Sequence, residues 1–233
     1  MDDLRTFTFG RGSHKTRADG LCVMEAVAML SGEEHFDHPI CASWVITELA
    51  IWVNDSCGDE LRNELLRDLP WRIVGTDASA KIEKQRVYMV ADWAVRFVTP
   101  LIFDRVGLAD WAAKLRELSV IDCERAARAA YMAARGAADY AAGRELATSS
   151  FLPPDLASCV AKQAAGSAKR AVVQSNDAVR CAIYCATNAA NSLNLNERET
   201  IQRSCVALID RMIRLTEPQE VVPTAAPQLA CSL

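Results

Sequence analysis

Between residues 122 and 147 the chain carries paired alanines at 126/127, 129/130, 133/134, 137/138 and 141/142, with arginines and acidic residues between them. A small side chain returning every three or four residues follows the period of an α-helix and not that of a strand. Alanine also has the highest helix propensity and little bulk, so such a stretch forms helix readily and lets a neighbouring helix approach closely. Aromatic residues make up only 6% of the 233 residues, with 10 glycines and 8 prolines, which argues against a sandwich or barrel built on aromatic and turn residues. The expected fold is all-α: a helical bundle with a loop-rich N-terminal segment and Ala-rich C-terminal helices.

The remaining elements follow from capping and breaking signals. RTFTF at 5–9 alternates as a short edge strand would, and a Gly-containing loop follows over 10–17. Asp19 is the expected cap of a helix over 20–30, with Gly32 as its stop. Pro39, with Asp37 or His38 at the cap, opens an apolar helix through Trp44, Ile46, Leu49 and Val53, which residues 54–58 break. A short helix over 59–69 ends at Pro70, and residues 71–79 connect it to a long helix over 80–98 that Pro100 bends or ends. Gly107 separates that helix from one over 108–118. Two more are expected over 155–191, after a break at 149–154, and over 197–215, capped by Asn196.

All five tryptophans, at 44, 52, 71, 93 and 111, fall within residues 44–111, which places the large-side-chain core there. The expected division is an N-terminal helical domain over 1–118, an Ala-rich helical region over 119–216 and a disordered tail over 217–233.

The formal net charge is −4, which gives no reason to expect nucleic-acid binding. Residues 1–77 hold 7 basic and 14 acidic side chains, so the acidity is concentrated there. The nine cysteines lack the dense spacing of a small secreted scaffold, and the polar start MDDLRTFTFG does not read as a secretory signal. No apolar stretch reaches membrane-spanning length, so a cytoplasmic protein is expected.

The three histidines, His14, His35 and His38, lie within the first 38 residues, alongside Cys22, Cys41, Glu25 and Asp37. Zinc prefers four ligands from thiolates and neutral imidazoles, so a structural or regulatory Zn²⁺ held by Cys22, Cys41 and two of the histidines is one expectation, with Glu25 as a substitute for His14. The spacing departs from finger patterns, since His38 and Cys41 form the only close His-to-Cys pair. A hydrogen-bonded cluster with no ion is the plainer alternative.

A second alternative takes Asp19-Gly20-Leu21-Cys22 as a tight turn placing a thiol in the first turn of a helix, where the helix dipole lowers its pKa. Cys22 is then a nucleophile for acyl or peptide hydrolysis, with His14 or His35, or else His38, as base and Asp37 or Glu25 orienting it. The four residues resemble the nucleophile turn of ovarian-tumour-type deubiquitinating hydrolases, which supply their histidine from late in the chain, whereas no histidine follows His38 here. GRGSHKT at 10–16 echoes a phosphate loop, but His14 stands where the pattern needs glycine. Backbone donors beside Arg11 and Lys15 remain candidates for holding an anion.

The stretch GSHKTRADGLCVMEAVAMLSGEEHFDHPIC, residues 12–41, resembles the N-terminal signature of an uncharacterised family of tailed-bacteriophage and bacterial proteins. His14, Cys22, Glu25, His35, Asp37 and Cys41 occupy its pattern. The resemblance covers about a third of the chain with its weaker continuation through Asn54-Asp55 and Val74-Gly75-Thr76, and it implies no activity. The expected role is macromolecule binding, with a protein partner, the Ala-rich helices as the contact surface, and a homo-oligomeric contact left open.

Overall fold

The computed structural model describes residues 7–143, 155–173 and 175–216. These residues form eleven α-helices in chain order: α1 Val23–Ser31, α2 Trp44–Ser56, α3 Asp59–Leu66, α4 Leu69–Ile73, α5 Ala80–Trp93, α6 Thr99–Arg105, α7 Ala109–Arg116, α8 Glu124–Ala142, α9 Leu156–Ala171, α10 Asn176–Ser192 and α11 Leu195–Ile213. A π-helical turn, Ala94–Val98, joins α5 to α6. No strand occurs among the described residues. The all-α class is therefore as expected, but the edge strand is not: residues 7–9 are irregular, and the Phe9 amide donates to Asn63 Oδ1 at 2.8 Å and not to another strand. The predicted break at 149–154 and the tail from 217 lie outside the described residues.

The alanine stripes do what their bulk permits. Ala127, Ala130, Ala134, Ala137, Ala138 and Ala141 form the buried face of α8, which packs on α9, and α9 packs on α10 through further buried alanines. Methyl-sized side chains let these helices come close while each contributes little apolar area. The larger side chains sit one layer away. Trp52 on α2 meets Trp93 on α5 edge to face, with ring centroids 5.9 Å apart. Their indole nitrogens donate to Thr187 on α10 and Ser204 on α11. Trp44 and Trp111 are half-buried and Trp71 is exposed, so two of the five tryptophans, and not all, are in the core.

Several boundaries shift for local reasons. Pro70 opens α4 where it was expected to end a helix, because its missing N–H is an orphan donor in a first turn anyway, and Trp71–Ile73 join α4. Ser43, and not Asp37 or His38, caps α2, with its hydroxyl accepting the Ile46 amide. The helix expected over 80–98 continues past Trp93 as the π turn, and Pro100 neither ends nor breaks the path. The Ala94 carbonyl, left by the wider turn, accepts both the Thr99 amide and the Thr99 hydroxyl. The expected helix over 155–191 is two helices, since Ser175 caps α10. Asn194, in a reciprocal box with Glu197, caps α11 two residues ahead of Asn196.

Arg86 is the largest fully buried side chain. Its guanidinium donates to Glu83 at 2.5 Å, to the Thr76 carbonyl at 2.8 Å and to the Met212 carbonyl at 3.2 Å. It thus satisfies an end-of-helix carbonyl of α11 and closes the C-terminal helix onto α5.

Candidate functional site

The N-terminal segment over 7–22 has no helix of its own, so its backbone amides need other acceptors. They find carboxylates. Gly12 N donates to Asp55 Oδ1 at 2.8 Å, His14 N to Glu25 Oε1 at 2.5 Å, and Thr16 N to Asp19 Oδ2 at 3.1 Å. The loop that echoes a phosphate cradle therefore has three of its amides filled from within the chain. Arg11 and Lys15, the expected anion-binding pair, are both exposed beside it.

Glu25 is the centre of this arrangement. It lies in the first turn of α1 with its side chain 1% exposed, yet accepts from His14 N, from Cys22 N at 2.7 Å and from His14 Nδ1 at 2.9 Å. Burial alone would raise its pKa, but the amides of His14 and Cys22 and the His14 ring outweigh burial and hold it below the ordinary glutamate value. An ionised carboxylate only accepts, so His14 Nδ1 is the donor of this pair. His35 approaches from the other side, with Nε2 3.1 Å from the His14 carbonyl and 3.7 Å from Glu25 Oε1. Its Nδ1 is buried without a hydrogen-bond partner.

Glycines make room for the His14 ring. A Cβ on Gly10 would stand 2.8 Å from Nε2 and one on Gly20 would stand 2.5 Å from it, and Gly20 has a φ of +145° that other residues rarely adopt. Asn54 fastens the same loop to α2: its Nδ2 donates to Gly10 O at 2.9 Å while its Oδ1 accepts from Val23 N at 3.2 Å. Arg62 closes the underside, donating to the carbonyls of Asn54, Phe9 and Cys57. Asn54 and Asp55 were expected to lie in the break over 54–58 that ends the helix. In fact α2 runs on to Ser56, and both side chains point into the loop.

Cys22 is the N-cap of α1, the position expected for Asp19, whose carboxylate is instead occupied by Thr16. Its Sγ accepts the Glu25 amide at 3.4 Å while Glu25 accepts the Cys22 amide, a capping box with sulfur in the usual place of a hydroxyl. Burial pushes the thiol up to about 12, so it is protonated at neutral pH and is not the low-pKa thiol expected at a helix N-terminus.

The expected donors thus converge only in part. His14, Glu25, His35 and Cys22 meet, whereas His38 faces Asp37 at 2.7 Å and Glu48 at 3.8 Å, and Cys41 is held by its backbone amide. Among the described residues no three His, Cys, Asp or Glu side chains are placed to hold a metal ion, and the donor set does not fit the expected zinc. All eight described cysteines are free thiols.

The second half of the site is the loop over 33–42, of which 39–42 were expected to begin the helix opened by Pro39, whereas α2 starts only at Trp44. Gly32, in the left-handed conformation at φ +78°, ends α1 and lets the Glu33 amide reach back to Ala28 O. The Glu33 carboxylate then closes the loop on itself, accepting Ile40 N at 2.6 Å, Cys41 N at 3.0 Å and Ser31 Oγ at 3.1 Å. Those amides hold its pKa below the ordinary value. Cys41 O accepts the Asp77 amide, and His35 ties the loop to His14. With the backbone fixed, two apolar side chains are left in water: Phe36 is 58% exposed and Ile40 is 85% exposed. No periodicity marks either residue, since a short link has none to read.

Hollows elsewhere, about 280 Å³ beside Trp111 and Tyr140 and about 410 Å³ between Gly58 and Arg198, contain no buried titratable side chain. Among the described residues no helix is long and apolar enough to cross a membrane. Compared with protein-family models, curated proteins and solved structures, the chain matches none of them.

Proposed function

We propose that this chain is a protein-binding helical module, phage-type or bacterial and cytoplasmic, whose contact element is the loop over 33–42 with Phe36 and Ile40 as anchors. The observation that carries the reading is the pairing of exposure with restraint. Single exposed apolar residues are ordinary on any surface. Here, however, two of them stand four residues apart on a loop whose backbone is tied at both ends by the Glu33 carboxylate and braced by His35. Burying an Ile or Phe side chain against a partner is worth about 1.5–3 kcal/mol each. A loop already held in place loses little conformational freedom on binding.

In this reading the His14–Glu25 knot is a scaffold, and the contact surface moves from the Ala-rich helices, whose alanine faces pack against one another, to the loop. The test is selection of a random peptide library on the purified full-length protein. Enriched peptides are expected to lose at least about tenfold in affinity for a Phe36→Ala/Ile40→Ala variant, as removal of two anchors implies, and nothing for Val173→Ala, an exposed residue beyond the end of α9. Peptides that bind both variants equally well would refute the assignment.

A further inference from the structure

Resting on that reading of the loop, we infer that the partner meets it through a cationic segment that also carries apolar side chains. Between Arg17 and Arg62 the chain contains no lysine or arginine and nine acidic residues. Several of the nine are consumed by the knot or by capping: Glu25, Asp19, Asp55 and Glu33 all accept backbone amides. Those left around the anchors are Glu34, which is exposed, Asp37, and Glu48, whose side chain is 40% exposed. The loop carries two imidazoles: His35 lies 3.7 Å from Glu25, and His38 sits between Asp37 and Glu48. Arg11, Lys15 and Arg17, all exposed, belong to the separate loop that His35 meets at the His14 carbonyl.

This charge pattern selects among the possible occupants. Nucleic acid and anionic lipid both present phosphates, which the acidic rim repels at distances within a Debye length of about 10 Å. A second copy docked through this face about a two-fold axis would bring the Glu34 and Asp37 carboxylates of both chains into one interface. A protein segment combining Lys or Arg with Leu, Ile or Phe meets both features at once: its apolar side chains cover Phe36 and Ile40, and its cations face the rim.

The same library selection decides the matter through readouts separate from the docking test. Enriched peptides are expected to be net positive, their association rate should fall about tenfold as salt rises from roughly 50 to 500 mM, and a Glu34→Gln/Asp37→Asn/Glu48→Gln variant should flatten that salt dependence. Neutral or acidic peptides, or salt-insensitive binding, that still require Phe36 and Ile40 would overturn the cationic partner and leave the docking loop standing. Peptides indifferent to Phe36 and Ile40 would overturn both, as would a library that yields no binder. Binding to phosphatidylserine vesicles, or a concentration-dependent dimer, either one lost in Phe36→Ala/Ile40→Ala, would overturn it in favour of a lipid surface or a second copy.

Discussion

His14 Nδ1 and Glu25 Oε2 stand 2.9 Å apart, and the same carboxylate also receives the His14 and Cys22 amides. One buried side chain thereby fixes a loop, caps a helix and orients an imidazole. Truncating it in Glu25→Ala leaves two amides and a ring nitrogen without their buried acceptor, and the expected loss is about 3 kcal/mol of unfolding free energy. Urea denaturation of the two proteins at neutral pH measures it.

The pH dependence has a defined sign. Glu25 has a folded-state pKa below its unfolded one, so the stability it contributes is complete above the unfolded value and is lost as pH falls through the folded one. Unfolding free energy should therefore fall as the pH is lowered through and below the ordinary glutamate value of 4.5. The gap between the wild type and Glu25→Gln should narrow over the same window. A gap that stays constant as the pH falls would show that Glu25 is not ionised in the folded protein.

Cys22 should behave as a cap and not as a reactive thiol. Iodoacetamide at mildly alkaline pH is expected to label exposed Cys123 well before buried Cys22, whose thiol burial pushes up to about 12. Cys22→Ser keeps an acceptor for the Glu25 amide and should be nearly neutral, whereas Cys22→Ala should cost about 1 kcal/mol. Mass-spectrometric labelling rates and thermal melts report the two effects.

Gly20 admits no side chain. Its φ of +145° and the closeness of the His14 ring combine, so Gly20→Ala should destabilise by about 3 kcal/mol or more. Gly12, also at positive φ but with nothing near its missing Cβ, should show a smaller loss when changed to Ala. Equal melting temperatures for the two variants would contradict the packing of His14 against Gly20.

Elemental analysis of protein purified without added metal or chelator should find zinc well below one ion per chain, since among the described residues no three His, Cys, Asp or Glu side chains are placed to hold a metal ion. Near-stoichiometric zinc that disappears in Cys22→Ser would contradict this.

The helical class was legible because alanine pairs and glycine stops report local geometry directly: Gly32 and Gly107 sit at positive φ where helices end, as their positions implied. The split between α9 and α10 was not, because no glycine or proline marks residues 172–175 and only the cap at Ser175 does. The gathering of His14, His35 and Cys22 could be suspected from composition. Glu25 was noted as a stand-in ligand or as the group orienting a histidine base, and its role as the common acceptor depends on a loop folding back over α1, which no pattern encodes. Phe36 and Ile40 were passed over for a related reason: exposure of a link residue is set by how neighbouring carboxylates pin the backbone. His38 and Cys41 are close to the cluster in sequence, but the turn that lets Glu33 accept the Ile40 and Cys41 amides goes with different partners for them.

The most direct measurement is calorimetric titration of a library-selected peptide into the wild type and into Phe36→Ala/Ile40→Ala, with far-ultraviolet circular dichroism recorded on both. Unchanged helicity with affinity reduced at least about tenfold in the double variant is the predicted outcome. Unchanged helicity with undiminished affinity would show that the tethered loop does not carry the contact.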